Sequence, residues 1–372
     1  MKDLLATESE EDVTEFQIDQ ARLPSHLRCC SHTLNLIASV DLEHVLTIDS
    51  ELSNIHKSVI EKCNSLWKKG NLPKSAEIIQ NILGHSLSRP GATRWNSLYD
   101  AMKQISTIKE KSCALHKALG LKNPLRDYEF DYMEEYLSCL KPIAEALNML
   151  QGNNNTYYGL LLPTILMLKK KLQKLQQNIF QYCKPIAEEL LTHVERRFEN
   201  FLMLSSPDAE RTIIAALSYP RFKNKWFTCI QSEDQSRLKN LFITVLSKEF
   251  NIPLNIDDAL FMVKNAKEDE FFDYNDAYGN NNSSSFGHPR TKAELSISIF
   301  FADESRSLEM LNKYLEIKNI FLKFNTPLPS SAPVERLFSF ATMANSPKAN
   351  RLSDQNFEQR VIIKANLNYE KN

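Results

Sequence analysis

Glycine is scarce in this chain, with 8 residues in 372. Proteins rich in β-structure need many turn glycines and short alternating patterns, so a sequence that is poor in glycine and rich in Leu, Lys and Glu favours helices. A long apolar run is also missing. The best one, residues 160–168, is interrupted by Pro163, whereas a membrane span needs about 20 apolar residues. We therefore predict a mainly α-helical chain without a membrane helix.

An excess of charge is also absent, because the formal net charge is -1. Such a chain has no global attraction to DNA or to anionic membranes, so any nucleic-acid binding must come from local patches. The seven cysteines, spread from Cys29 to Cys229, are odd in number, which indicates reduced thiols rather than a disulfide framework. The acidic first residues do not form a secretory signal. These features favour the cytosol or the nucleus.

Composition and periodicity divide the chain into successive segments. Residues 1–20 are acidic and are predicted to be a solvated tail or linker, and residues 276–290 are rich in Asn, Ser and Gly, as in flexible linkers. Helical blocks are predicted over 21–98, 99–275 and 291–372. The predicted helices include residues 52–69, 75–83, 99–119, 128–151, 160–181, 184–204, 209–218, 233–250, 256–267 and 293–324.

The stretch from Pro329 to Arg351 combines a helix start, an apolar stripe and an acid. Ser330 and Ser331 offer N-cap oxygens before a helix that should begin near Ala332. Glu335 lies away from the apolar stripe, and local evidence leaves two interpretations: a favourable charge at the helix start or a catalytic acid. The stripe consists of Val334, Leu337, Phe338 and Ala341.

Cys29 and His32 lie three positions apart, on one face of a predicted helix. With His26 and Cys30 beside them they offer zinc ligands, but a structural zinc site closes with four ligands and no second pair follows at a matching spacing. A small buried thiol and a hydrogen-bonded histidine that pack the helix are the preferred interpretation.

Other candidates for nucleic-acid contact are Arg94 and Trp95, at a turn before a helix. An aromatic ring stacks on an unpaired base and a guanidinium holds phosphate, but Trp95 can equally fill a helix junction. Basic runs raise the same question, and a solvated helix face is the preferred interpretation for them. The runs are Lys169, Lys170, Lys171 and Lys174, then Arg221, Lys223 and Lys225.

Three separated blocks, in order, resemble signature blocks of the hAT transposase superfamily, with BED-finger-type elements the most similar. The first two are RCCSHTLNLIASVD and ATRWNSLYDAM, and the third runs from PSSAPVERLFSF to RVIIKANL. SYPRFKNKWF is a weaker fourth block. The likeness covers about residues 21–372.

The resemblance implies a truncated ribonuclease-H-like transposase core, here over 21–98, with a large all-helical insertion over 99–275 and a C-terminal dimerisation region over 291–372. It maps Glu335 onto the last acid of an Asp-Asp-Glu triad that binds metal. Trp95 matches a tryptophan that stacks on a flipped base, and Cys29 with His32 matches a Cys-x-x-His pair near the core.

The other two acids of that triad are expected on strands that precede the Cys-x-x-His block, and we expect this chain to begin within the acidic linker that follows them. Strand transfer with two Mg²⁺ ions needs several carboxylates, so Glu335 alone should not cut or join DNA. We therefore predict a protein that is not an enzyme. Mg²⁺ would be a cofactor only of a complete transposase, and Zn²⁺ is the alternative ion that Cys29 and His32 could bind.

The predicted function is therefore that of a transposase-derived nuclear protein that dimerises and keeps some contact with DNA, with the cytoplasm as the alternative location. Two other interpretations stay open: the C-terminal part of an active transposase, and a helical scaffold that binds proteins. The dimerisation candidates are Val334, Leu337, Phe338, Phe340, Leu352, Phe357, Val361, Ile362 and Ile363.

Overall fold

A computed structural model describes residues 29–91, 95–152, 156–250, 289–345 and 352–369. In these segments the regular structure is helical throughout and no strand occurs, which confirms a mainly α fold. None of their helices is long and apolar enough to cross a bilayer. The acidic tail, the helix predicted over 256–267 and nearly all of the predicted linker lie outside the described residues.

The helices before the middle of the chain follow one another through short connections, and a π-helical turn, Ile37–Asp41, joins the first two. They are α1 (Cys30–Leu36), α2 (Leu42–Ile48), α3 (Ser50–Gly70), α4 (Pro73–Leu83), α5 (Trp95–Ser106), α6 (Ser112–Ala118), α7 (Asp127–Leu150) and α8 (Leu161–Leu175).

The helices of the second half continue in the same way, with 3₁₀ turns at Lys225–Cys229 and Leu308–Lys313. They are α9 (Lys184–Arg197), α10 (Glu199–Leu202), α11 (Pro207–Ser218), α12 (Ser232–Glu249), α13 (Pro289–Ala302), α14 (Leu315–Asn325), α15 (Ala332–Ala344) and α16 (Asp354–Tyr369).

Four predicted helices are shorter or divided in the structure, and the one predicted over 293–324 is two helices, α13 and α14, with a 3₁₀ turn at Leu308–Lys313 between them. The helix predicted over 99–119 is divided after Ser106, where the hydroxyls of Ser106 and Thr107 each donate to a carbonyl three residues back at 2.8 Å and so compete with the helical ladder. The helix predicted over 160–181 ends at Leu175. Beyond it the Glu135 carboxylate accepts three successive backbone N–H groups, those of residues 181–183, at 2.8–3.0 Å.

Further differences concern segment ends. The helix predicted over 184–204 stops at Arg197, with a separate turn in α10, and α13 begins at Pro289, two residues inside the range predicted as a linker. Residues before and after 98 share one hydrophobic core, in which Leu34 and Val59 are buried together with Leu147. The boundary that we predicted at 98 does not divide this core.

A second hydrophobic core lies among α11, α12, α13 and α14, where Phe242, Phe300 and Ile320 are fully buried. Helix α11 belongs to both cores, since Ala215 packs in the first and Ile213 in the second. Helix α8 belongs to both cores as well, with Leu161 in the first and Leu162 in the second, so the two cores are continuous through two helices.

The side-chain amide of Asn325, at the end of α14, joins three segments of the chain by hydrogen bonds. Its Oδ1 accepts the N–H of Gly159 at 2.8 Å, and its Nδ2 donates to the carbonyl of Ala215 at 3.1 Å and to Ser218 Oγ at 3.3 Å. Asn325 is 3% exposed, and a buried polar group must find such partners. Three segments that are distant in sequence are thus fixed by one side chain.

Gly159→Ala should destabilise the protein strongly. A Cβ at this position would lie 2.4 Å from the Ala215 carbonyl oxygen and 2.8 Å from Asn325 Oδ1, so the backbone must shift, at a cost of about 3 kcal/mol. Urea unfolding followed by circular dichroism measures the loss. Gly91→Ala is the matched control, because its Cβ would meet Ser97 Oγ at an ordinary 3.6 Å; equal stability of the two variants would contradict the close approach.

Candidate functional site

The N-terminal and C-terminal blocks of the resemblance meet at Cys29 and Ser331. The Ser331 N–H and hydroxyl donate to Cys29 Sγ at 3.2 and 3.1 Å, across 302 positions of sequence. The Cys30 N–H donates to the carbonyl of Pro329 at 3.1 Å. Cys29 also caps α1, since its sulfur accepts the His32 N–H at 3.4 Å. The start of α1 therefore lies against the start of α15.

Helix α15 begins at Ala332, as the sequence predicted, but the side chain of its N-cap residue, Ser331, makes no capping hydrogen bond and donates to Cys29 Sγ instead. The side chain of Glu335, together with those of the rest of 332–336, lies outside the described residues. Arg94 lies outside them too, and Trp95 is described only as the first residue of α5. The roles predicted for Glu335, Arg94 and Trp95 stay predictions.

The zinc interpretation gains no further ligand from the fold. Among the described residues no group of three or more His, Cys, Asp or Glu side chains could hold a metal ion. Cys29 Sγ instead accepts hydrogen bonds from Ser331, and Cys30 is 2% exposed. Burial, with Cys29 beside it, raises the pKa of Cys30 to about 12, so this thiol stays protonated, whereas zinc binds the thiolate.

A cavity of about 530 Å³ opens between α1 and the region where α9 is followed by α10. We call it the arginine cavity, because the guanidinium groups of Arg196 and Arg197 lie in its wall. Its other polar lining includes His32, Tyr158, Asn200 and Asp208. Cys29 also borders it, so the cavity adjoins the contact between α1 and α15.

Asp41 ends the π-helical turn and is 6% exposed. Its carboxylate accepts two hydrogen bonds from Arg197, at 2.5 Å from Nε and 2.7 Å from Nη2, and a longer one from Arg196 Nη2 at 3.4 Å. Burial alone would raise the pKa of Asp41, but Arg197, with His193 and Arg196, holds it below its usual value. Asp41 is therefore a buried carboxylate that stays ionised.

His193 positions the second guanidinium. Its Nδ1 lies 2.9 Å from Arg196 Nη2, and burial lowers the pKa of His193 despite the opposing charge of Asp41. A neutral imidazole offers a nitrogen acceptor, so His193 accepts from Arg196. This cluster was not predicted from the sequence, although Asp41 closes the first resemblance block and Arg196–Arg197 is a basic pair, because the contact between Asp41 and Arg197 spans 156 positions.

The lysines of α8 make contacts within the protein. Lys169 pairs with Glu195 at 2.9 Å and Lys171 with Glu145 at 2.5 Å, as on the solvated helix face that was preferred. The solvated-face interpretation is wrong for Lys223, which is only 2% exposed; its ammonium donates to the Asp303 carbonyl and lies 5.1 Å from the centre of the Phe300 ring. Its role is to join two segments of the second core, and it cannot reach a phosphate on the surface.

Comparison with protein-family models finds no match for this chain. Comparison with curated proteins finds none either.

Asp41→Asn should reduce the free energy of unfolding by about 3 kcal/mol at pH 7, because it removes the charge of a buried carboxylate that accepts two hydrogen bonds from the half-buried Arg197. The folded pKa of Asp41 is below its unfolded value, so this contribution is fully present above about pH 4. It disappears as pH falls through the lower, folded pKa. Urea unfolding at a series of pH values should show the difference between wild type and variant shrinking in that window.

Asp131→Asn is the control for this experiment, since Asp131 forms an exposed pair with Lys109 at 2.9 Å. Such surface pairs contribute at most about 1 kcal/mol. A difference between Asp41→Asn and wild type that does not change with pH would contradict an ionised Asp41.

Cys29→Ala removes the acceptor for the Ser331 N–H and should loosen the contact between α1 and α15. Loss of a hydrogen bond worth about 1 kcal/mol should make the Ser331 amide exchange with solvent about fivefold faster. Hydrogen exchange followed by NMR measures this. Cys113→Ala, at an exposed cysteine, should leave that rate unchanged, and unchanged exchange in Cys29→Ala as well would show that the sulfur contact does not hold Ser331.

Proposed function

We propose that this chain is a non-catalytic protein derived from a hAT transposase, that it dimerises through its C-terminal helices and that it retains contact with DNA through Arg94 and Trp95. The order of the three blocks supports the origin. The meeting of Cys29 with Ser331 supports it further, because both residues belong to blocks of the resemblance and make direct hydrogen bonds. We propose the nucleus as its location, because a protein that contacts DNA would meet it there, with the cytoplasm as the alternative.

The absence of catalysis rests on the chemistry of the carboxylates. A two-metal reaction needs several acidic ligands at one place, and the resemblance supplies only Glu335. Asp41, the buried acid in the first block, is already neutralised by the bidentate contact with Arg197. It is therefore not available to replace a missing acid.

The observation that carries dimerisation is the apolar surface of α15 and α16. Among the described side chains of these helices only Val361 is buried, and isolated helices of this length are marginal without tertiary packing. Six large apolar side chains are exposed instead. They are Leu337, Phe338, Met343, Ile362, Ile363 and Leu367.

Charge is scarce on this surface, as it is at the centre of protein interfaces. Residues 337–345 contain no charged side chain. On α16, Ile363 and Leu367 lie one turn apart, and the helical period puts them on the side opposite Val361, where Arg360 is the charged neighbour. A second copy that presents the same surface is the partner that we propose.

The individual candidates differ in how much they offer a partner. Phe338, at 64% exposure, and Ile363, at 58%, are the best placed. Val361 is 8% exposed and packs within its own chain. The side chain of Val334 lies outside the described residues. Three further candidates are half-buried: Phe340, Leu352 and Phe357.

Phe338→Asp combined with Ile363→Asp should convert a dimer into a folded monomer, because two carboxylates would be buried at the interface. Sedimentation at micromolar concentration measures the mass, and circular dichroism checks the fold. The matched control is Ile48→Asp with Ile179→Asp, at sites 71% and 100% exposed, which should stay dimeric. A wild type that is monomeric at micromolar concentration would contradict the proposal.

A further inference from the structure

We propose that the arginine cavity binds a phosphate group of a nucleic-acid strand, with Arg196 as the main ligand and Arg197 and His32 beside it. This site is separate from the dimer surface. It rests on the proposed function only in the choice of nucleic acid as the source of the phosphate.

Arg196 is more than the structural partner of Asp41. The short bidentate contact with Arg197 already satisfies that carboxylate, and the contact with Arg196 is longer, at 3.4 Å. The Arg196 side chain is 62% exposed, against 25% for Arg197. A guanidinium has five N–H donors in a planar fork that suits phosphate, and the observed contacts of Arg196 use only its Nη2.

The charges around the cavity balance overall and are positive at Arg196. Arg197 holds Asp41 through a short bidentate contact, and Asp208 is the acidic side chain in the lining. These four groups sum to zero, but Arg196 is the more exposed of the two arginines. Its charge acts in a partly enclosed space, where electrostatic attraction is stronger than in bulk water.

The shape and the remaining lining agree with this ligand. A volume of about 530 Å³ accommodates a phosphate with part of its attached sugar and base. Asn200 supplies an amide, and His32, which is exposed, supplies a ring nitrogen at the opposite side from α9. His193 accepts a hydrogen bond from Arg196 and so fixes the orientation of the guanidinium before a ligand arrives.

The test measures binding of a fluorescent 20-nucleotide single strand to the full chain at several salt concentrations, with inorganic phosphate as competitor. Arg196→Gln should weaken binding about tenfold, as expected for a lost charged hydrogen bond. It should also reduce the salt slope by about one. Asp208→Asn should tighten binding, because it removes a negative charge from the lining. His32→Gln should weaken binding less than Arg196→Gln.

Arg290→Gln is the matched control, since Arg290 is 50% exposed and pairs with Glu294 on its own helix. It should bind as the wild type does. Equal affinity of wild type, Arg196→Gln and Asp208→Asn would overturn the site. A wild type that binds no strand would overturn the nucleic-acid source, and if calorimetry with inorganic phosphate showed no binding either, the site itself would be overturned.

The dimer test and this one fail separately. Phe338→Asp with Ile363→Asp leaves the arginine cavity untouched, so strand binding by that monomer would support the site whatever the fate of the proposed dimer. A loss of the effect of Arg196→Gln in the monomer would contradict a site contained within one chain.

Discussion

One buried amide determines how the two halves of this chain meet. Asn325 ends α14 with its side chain bonded to Gly159 and to the Ala215 carbonyl, so the end of that helix is fixed against α11. Only a few residues later the chain reaches Pro329 and Ser331, whose backbone and hydroxyl groups contact α1. The position of α15 therefore follows from the amide. Gly159 is required at this point because a Cβ would collide with the carbonyl that Asn325 also uses.

Helix α1, which contacts the start of α15 through Cys29, forms one wall of the arginine cavity. Helix α1 is held at its first turn by Cys29, and the π-helical turn that follows it carries Asp41 into the protein. An extra residue in a helical turn displaces the side chains after it, and such turns are frequent at functional sites. Asp41 then fixes Arg197 at the end of α9, which leaves Arg196 at the cavity. The cavity is thus a consequence of backbone geometry on one side and of a buried ion pair on the other.

Local chemistry explains what could be predicted from the sequence. The helix start at Ala332, with Pro333 in its first turn, and the end of α4 at Leu83, where Gly84 follows with a φ of 84°, depend on residues within one turn. The ion pair of Asp41 could not be predicted, because its partner is 156 positions away. The early end of α8 escaped prediction for the same reason, since the acceptor for the N–H groups that follow, Glu135, belongs to α7.

Energetics set a limit on the proposed dimer. Fully burying a large apolar side chain contributes about 1.5–3 kcal/mol, and the six on α15 and α16 are about half exposed. Two copies would then gain on the order of 10 kcal/mol, close to the cost of association, which is about 4–15 kcal/mol. A stable dimer therefore needs more surface than this pair of helices. Leu295 and Ile299 on α13, and Leu315 and Leu322 on α14, are further exposed apolar side chains in the C-terminal region.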